Sequence, residues 1–363
     1  MHQRPPTYCR NLCRSCPGTK NRESLTGTTN QGKGLAVSEK NTFKVRKSWD
    51  TAILALLFSV WVLASMTTDN FLSSINVSQI FSNSSEILIM GFAMIFLIIT
   101  GEIDLSIASI LALSSAMLGY SYAAGAPIWL AILIAMAVGT ACGFVNGFLV
   151  TKLGLGSLAV TIGALALYRG IANGILGTET VNEFPEFWTT WGFDTIGTTF
   201  IPQTLPVIII FGLFFGLLLH NTAFGRRTLA IGQSPEAARF AGINVVRHKI
   251  IVFTFTGFVS GVAGVIYTFR FSTAQADNGI GLELLVISAC LLGGVSIFGG
   301  VGTMWGLVAG VLLASSVESW LTLQEINAQW RTIVTGILLL ISVAAPVMVD
   351  KYKRARATAS NKA

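Results

Sequence analysis

Apolar runs of roughly 20 residues, separated by short polar stretches, repeat along most of this chain. An α-helix rises about 1.5 Å per residue, so a run of that length covers about 30 Å of bilayer hydrocarbon. Backbone groups in lipid must be satisfied internally, which favours helices over open strands. Segments such as Val207–Phe211 and Leu338–Ile341 are apolar throughout and do not alternate, which excludes a β-barrel. The pattern predicts an all-α integral membrane protein of about ten spans: 50–66, 87–101, 104–123, 128–150, 157–177, 204–220, 249–269, 283–298, 302–318 and 330–349. The second is short. The glycine-rich joint near 299–302 reads either as a break between spans or as a re-entrant turn.

Composition agrees. Apolar residues make up 52% of the chain and charged ones 11%, more apolar surface than a soluble fold can hide. The charges then orient the spans. With both termini cytoplasmic, Lys44, Arg46, Lys47, Lys152, Arg226, Arg227, Arg239, Arg247, Lys249, Lys351, Lys353, Arg354 and Arg356 fall inside. Glu179, Glu183, Glu186, Asp194 and Asp277 fall outside, as the positive-inside rule expects. The net charge of +7 therefore reports topology, and no nucleic-acid partner is expected.

The chain divides into a polar tail over 1–48, a transmembrane domain over 49–350 and a basic cytoplasmic tail over 351–363. The first tail is read as disordered, or as the product of a start codon called too early; no signal peptide is expected. Its Cys9, Cys13 and Cys16 lack the second pair or histidine that a zinc site needs. Within the spans, Gly139-Gly143-Gly147, Gly212-Gly216, Gly257-Gly261 and Gly302-Gly306-Gly310 place small residues on one helix face, which lets backbones approach closely. The longest outer loop, 178–203, is rich in acids and aromatics suited to a membrane–water interface or to a soluble partner.

No phosphate loop, HExxH, GxSxG or Cys/His cluster occurs, so an intramembrane enzyme is poorly supported and no metal site is expected. Few ionisable residues fall in spans. Asp104 is placed to accept from backbone N–H groups near Ser106 at the start of the third span. Glu102 stands beside it. Arg169 lies mid-span with Asn173 one turn on, and serves either packing or a pathway. Asn146, Arg169, Asn173 and Ser288 are the candidate pathway groups.

The inner loop 221–248 holds the most telling segment. Ser234 can cap a helix that has Pro235 in its first turn, Glu236 at its positive end, and Gly242 to stop it. About two turns of helix result, too polar to span and too short to stand alone, so it needs a groove to dock into. Glu236-Ala237-Ala238, three residues and then Gly242 resembles the EAA-x-x-x-G coupling motif of permease subunits of bacterial ATP-binding-cassette importers. The run Phe224–Arg227, Ala230–Gly232 and Ala241–Val245 resembles the ribose-type monosaccharide permeases in particular. Thr100–Ser109 is similar to that family's T-G-G-I-D-L-S-V-G-S, with Glu102 and Ala108 replacing glycines. Leu292–Gly302, which contains Gly293, Gly294, Gly299 and Gly300, is similar to its L-G-G-x-S-x-x-G-G-x-G.

The resemblance covers about 50–350 and implies a division of labour. A cytosolic ATPase holds the ATP and magnesium and grips Glu236, Ala237, Ala238, Arg239 and Gly242. A periplasmic sugar-binding protein delivers the substrate, a second permease chain completes the pathway, and this chain itself carries no cofactor. The implied location is the bacterial inner membrane, with lipid as the surrounding partner. The substrate class is ribose, xylose, rhamnose, galactose or autoinducer-2, with a lean towards rhamnose and autoinducer-2. A branched-chain amino-acid permease and a stand-alone ion-coupled carrier are the rival readings; a carrier would make Arg169 and Glu102 essential.

Overall fold

The computed structural model describes residues 33–344, except 198, 200, 328, 332, 335, 338, 339, 342 and 343, with side chains from Trp49 on. By its contacts the chain divides after Lys44, and every site below lies in the unit that begins at Val45. The expected 1–48 tail falls outside the described residues up to position 32; from Lys33 the chain is already helical. The 351–363 tail also lies outside them.

The described residues form helices joined by short loops, in the order α1 (Lys33–Thr67), α2 (Ser74–Asn83), α3 (Ser85–Ile99), α4 (Ile107–Ala123), α5 (Ile128–Lys152), α6 (Ser157–Leu176), α7 (Glu186–Phe193), α8 (Leu205–Asn221), α9 (Ala223–Gln233), α10 (Pro235–Phe240), α11 (Val245–Phe271), α12 (Leu282–Leu292) and α13 (Met304–Leu323). Among the described residues, β pairing is limited to isolated bridges, Val181 with Ala274 and Thr195 with Pro202. The all-helical expectation holds.

Among the described residues, six helices are long and apolar enough to cross a membrane, or seven if the bent pair α8 and α9 is one span, against the ten spans expected for the whole chain. The expected short second span begins earlier, because α2 and α3 together run Ser74–Ile99. The polar Ser73, Ser78 and Ser82–Ser85 hide that continuity in the sequence. Expected spans three and eight are the shorter α4 and α12, and 330–349 falls in large part outside the described residues.

α3 is the centre. Every residue from Ser85 to Ile99 is buried, against α8, α11, α12 and α13. A helix apolar all round and buried all round belongs inside a bundle and not against lipid. The densest pairing is α5 on α11, and the glycine stripes explain it. A Cβ on Gly143 would lie 2.4 Å from the Phe253 carbonyl oxygen, and one on Gly257 would lie 2.3 Å from that of Gly139. The stripes of the two helices therefore face each other backbone to backbone. The joint 293–303 packs the same way, for a Cβ on Gly306 would lie 2.0 Å from the Gly293 carbonyl oxygen.

Candidate coupling site and its links into the membrane

α10 is built as its residues dictate. The Ser234 side chain accepts from the Ala237 N–H at 3.2 Å, Pro235 opens the helix, and Glu236 stands in its first turn. Gly242 ends it at φ +81°, donating to the Arg239 carbonyl at 3.0 Å while Ile243 N–H reaches Ala238 at 3.0 Å. That left-handed conformation costs a residue with a Cβ about 1–2 kcal/mol, so glycine fits there. One face is held: Ala238 is buried with Ile231 and Val245, and Ile243 packs on them. Glu236, Ala237 and Arg239 are exposed, and Phe240 presents 93% of its surface. An exposed phenylalanine on a short polar helix is a ready anchor for a protein groove.

The segment is fixed to the membrane helices at both its ends. α9 leaves α8 through a 66° bend. At its far end Gly232 presses on the end of α3: a Cβ there would lie 1.8 Å from the Ile99 carbonyl oxygen and 2.4 Å from the Gly300 amide. That same amide donates to Ile99 at 2.8 Å. Gly299 and Gly300 thus form a turn wedged between α3 and α9, at the end of the molecule that carries α10. Beyond α10, Lys249 in the first turns of α11 makes a mostly buried ion pair with Glu102.

The stretch 100–106, between α3 and α4, carries the remaining motif residues. Asp104 is fully buried; its Oδ1 accepts from Ser106 N–H at 2.8 Å and from the Ser106 hydroxyl at 2.6 Å. Its carboxyl therefore folds the backbone just ahead of α4, as its spacing from Ser106 suggests. Oδ2 is buried with no hydrogen-bond partner. Asn146 of α5 donates to the Ser106 hydroxyl at 2.8 Å and accepts from the Tyr168 hydroxyl of α6 at 2.9 Å.

The four candidate pathway groups do not share one lining. Asn146 is fully buried in the chain just described, and Ser288 is buried with its hydroxyl bonded back to Leu284 within α12. Arg169 and Asn173 sit together on α6. Arg169 Nη1 donates to the carbonyls of Ala276 at 2.7 Å and Asn278 at 2.8 Å, so it fastens the loop between α11 and α12. Asn173 is exposed one turn on.

Sequence reasoning missed three groups. Gly232 looks like any glycine until its neighbours are known. Trp49 donates to the Leu292 carbonyl at 3.2 Å and covers Gly294. Arg270 pairs with Glu86 at 2.7 Å with both side chains almost buried; an acid at the start of a long apolar run was the available signal.

Residues 76–343 match a family described as the branched-chain amino acid transport system / permease component. The chain belongs to this family of transport permeases. Among curated relatives, the L-arabinose transport system permease protein AraH of Escherichia coli is 34% identical over 316 residues, 87% of this chain and 94% of that one. The ribose import permease protein RbsC of Bacillus subtilis is 33% identical over 302 residues, covering 82% and 92%. The autoinducer 2 import system permease protein LsrD of Klebsiella pneumoniae is 31% identical over 309 residues, covering 83% and 92%. These permeases align with the present one almost end to end, and the resemblance to ribose-type permeases holds. Family and helices together make the chain a multi-pass membrane permease.

Proposed function

We propose that this chain is the membrane subunit of an ATP-driven importer of a monosaccharide or of autoinducer-2 in a bacterial inner membrane. Both termini and α10 face the cytosol. A separate ATPase holds ATP and magnesium and grips Glu236 to Gly242. A periplasmic sugar-binding protein docks on the opposite face, and a second permease chain, identical or paralogous, completes the pathway along which Arg169 and Asn173 contact the passing sugar. The reading is carried by one observation: the segment with the coupling pattern is a capped, exposed helix flanked by Gly232, which lies against the end of α3, and by Lys249, which pairs with Glu102 just beyond it.

The named relatives transport arabinose, ribose or autoinducer-2, which supports a sugar over a branched-chain amino acid. Rhamnose has no such support, and L-arabinose joins the substrates to test first. The work done on the pathway comes from ATP and partner binding, since a ligand shifts a conformational equilibrium only by its differential affinity.

Uptake of labelled sugar in cells that also express the ATPase and binding protein tests the proposal. Glu236→Lys and Gly242→Pro should each abolish uptake while leaving the chain in the membrane at its normal level. Normal uptake by both variants would overturn the proposal. Transport by the purified chain alone, driven by an ion gradient, would establish the rival carrier.

A further inference from the structure

Besides its packing on α8 and α11, the coupling segment is flanked on both sides by contacts at the end of α3. Before α10, Gly232 lies against the Ile99 carbonyl and Gly300. After α10, Lys249 is paired with Glu102. One contact is on the last residue of α3 and the other is three residues on, in the joint that follows it. Glu102 stands at the second glycine of the family-like pattern T-G-G-I-D-L-S that Thr100–Ser106 resembles.

From the same joint two sets of hydrogen bonds reach α6: the Ile103 amide and carbonyl meet the Ser157 and Thr161 hydroxyls at 3.4 Å, and a side-chain line starts at Asp104. Asp104 accepts from Ser106, Ser106 accepts from Asn146, and Asn146 accepts from Tyr168. Every member is buried, so none of these bonds has water as a substitute partner. Tyr168 immediately precedes Arg169, which holds the loop 276–278.

α6 is held along one side. Its buried positions Val160, Thr161, Ala164, Tyr168, Ala172 and Leu176 face α4 and α5, and a Cβ at Gly163, Gly170 or Gly174 would meet nothing within 4 Å. A helix fixed along one stripe and open elsewhere can turn when that stripe is pulled.

We infer that the joint 99–106 is the transmission element of this permease: the Glu102–Lys249 pair and the Asp104–Ser106–Asn146–Tyr168 chain convert displacement of α10 into rotation of α6. Glu102, Lys249 and Tyr168 are positioning residues, for they act on Arg169 and Asn173 through α6. The inference rests on the proposed importer function and adds to it the route by which the coupling helix reaches the pathway.

The test uses the complete importer in proteoliposomes, reading sugar imported per ATP hydrolysed. A spin label at Leu167, on the exposed side of α6, reports its rotation when a non-hydrolysable ATP analogue binds. Lys249→Gln and Tyr168→Phe should each lower import per ATP about tenfold and reduce the α6 signal, while the ATPase still co-purifies. The swap Glu102→Lys with Lys249→Glu should recover import to within about twofold of wild type. Tyr168→Phe removes one hydroxyl and keeps the ring, so it stands if the Lys249 variant does not assemble. Wild-type coupling and wild-type α6 movement in both single variants would overturn the inference. Failure of the unmodified complex to import sugar with ATP would instead overturn the importer reading.

Discussion

Replacing Gly232 by alanine tests the joint with the smallest change a side chain allows. In an ordinary helix interior Gly→Ala stabilises by about 0.5–1 kcal/mol. Gly232 lies within α9, so that gain is present here too. Against it stands a Cβ placed 1.8 Å from the Ile99 carbonyl oxygen and 2.4 Å from the Gly300 amide nitrogen. Ordinary van der Waals contact begins at 3.4 Å, so the end of α9 must retreat from α3 by about 1.6 Å. Both neighbours are backbone, and they are bonded to each other at 2.8 Å, so neither can swing aside as a side chain would. Overpacking of that kind costs about 1–3 kcal/mol and exceeds the propensity gain. Gly163→Ala on α6 is the matched control, since its Cβ meets nothing within 4 Å and the helix gain acts alone. The assay is paired: thermal melting of the purified permease in detergent, and sugar uptake with the partner subunits present. Gly232→Ala should melt lower and lose most uptake, whereas Gly163→Ala should melt slightly higher. A Gly232→Ala permease that melts and transports like wild type would refute the reasoning, because α9 would then not be held against the end of α3.

Three further outcomes follow from other parts of the molecule. Arg270→Met should lower stability by about 3–5 kcal/mol, since it strands the buried Glu86 carboxylate; adding Glu86→Leu should recover much of it, read by melting in detergent. Asp104→Ala should cost about 1–2 kcal/mol through loss of the bonds from Ser106, whereas Asp104→Asn keeps an acceptor at that position and should cost less; the order of the two melting temperatures checks it. Gly242→Ala should weaken uptake less than Gly242→Pro, because a Cβ there meets open space and the cost is the left-handed backbone alone; relative uptake rates at equal membrane level decide it.

Much of the architecture was legible because lipid leaves a chain few options. Runs such as 128–150 and 157–177 match α5 and α6 within two residues, since apolar length alone sets them. The cap and stop of α10 could be read residue by residue, because Ser234, Pro235 and Gly242 each act on their own backbone. Helix bounds differ from the expected spans where local polarity and burial diverge. The serines around Ser84 read as a loop, but Ser84 and Ser85 are buried with their hydroxyls bonded to the preceding turn, so the helices run on. α12 differs in the opposite sense, its apolar run extending past Leu292 into a turn that Gly293 and Gly294 form.

By itself, then, the sequence determined the helical membrane fold, the permease family and the short capped helix α10, because each depends on composition or on residues a few positions apart. Only the tertiary structure decided what those parts are joined to. Gly232 is close-packed because Ile99 lies against it, Glu102 is paired because Lys249 reaches it from 147 positions away, and Asn146 is bonded because Ser106 and Tyr168 bracket it. These relations are fixed by packing across helices distant in sequence, where a glycine, an acid or an amide has no local pattern to announce its partner.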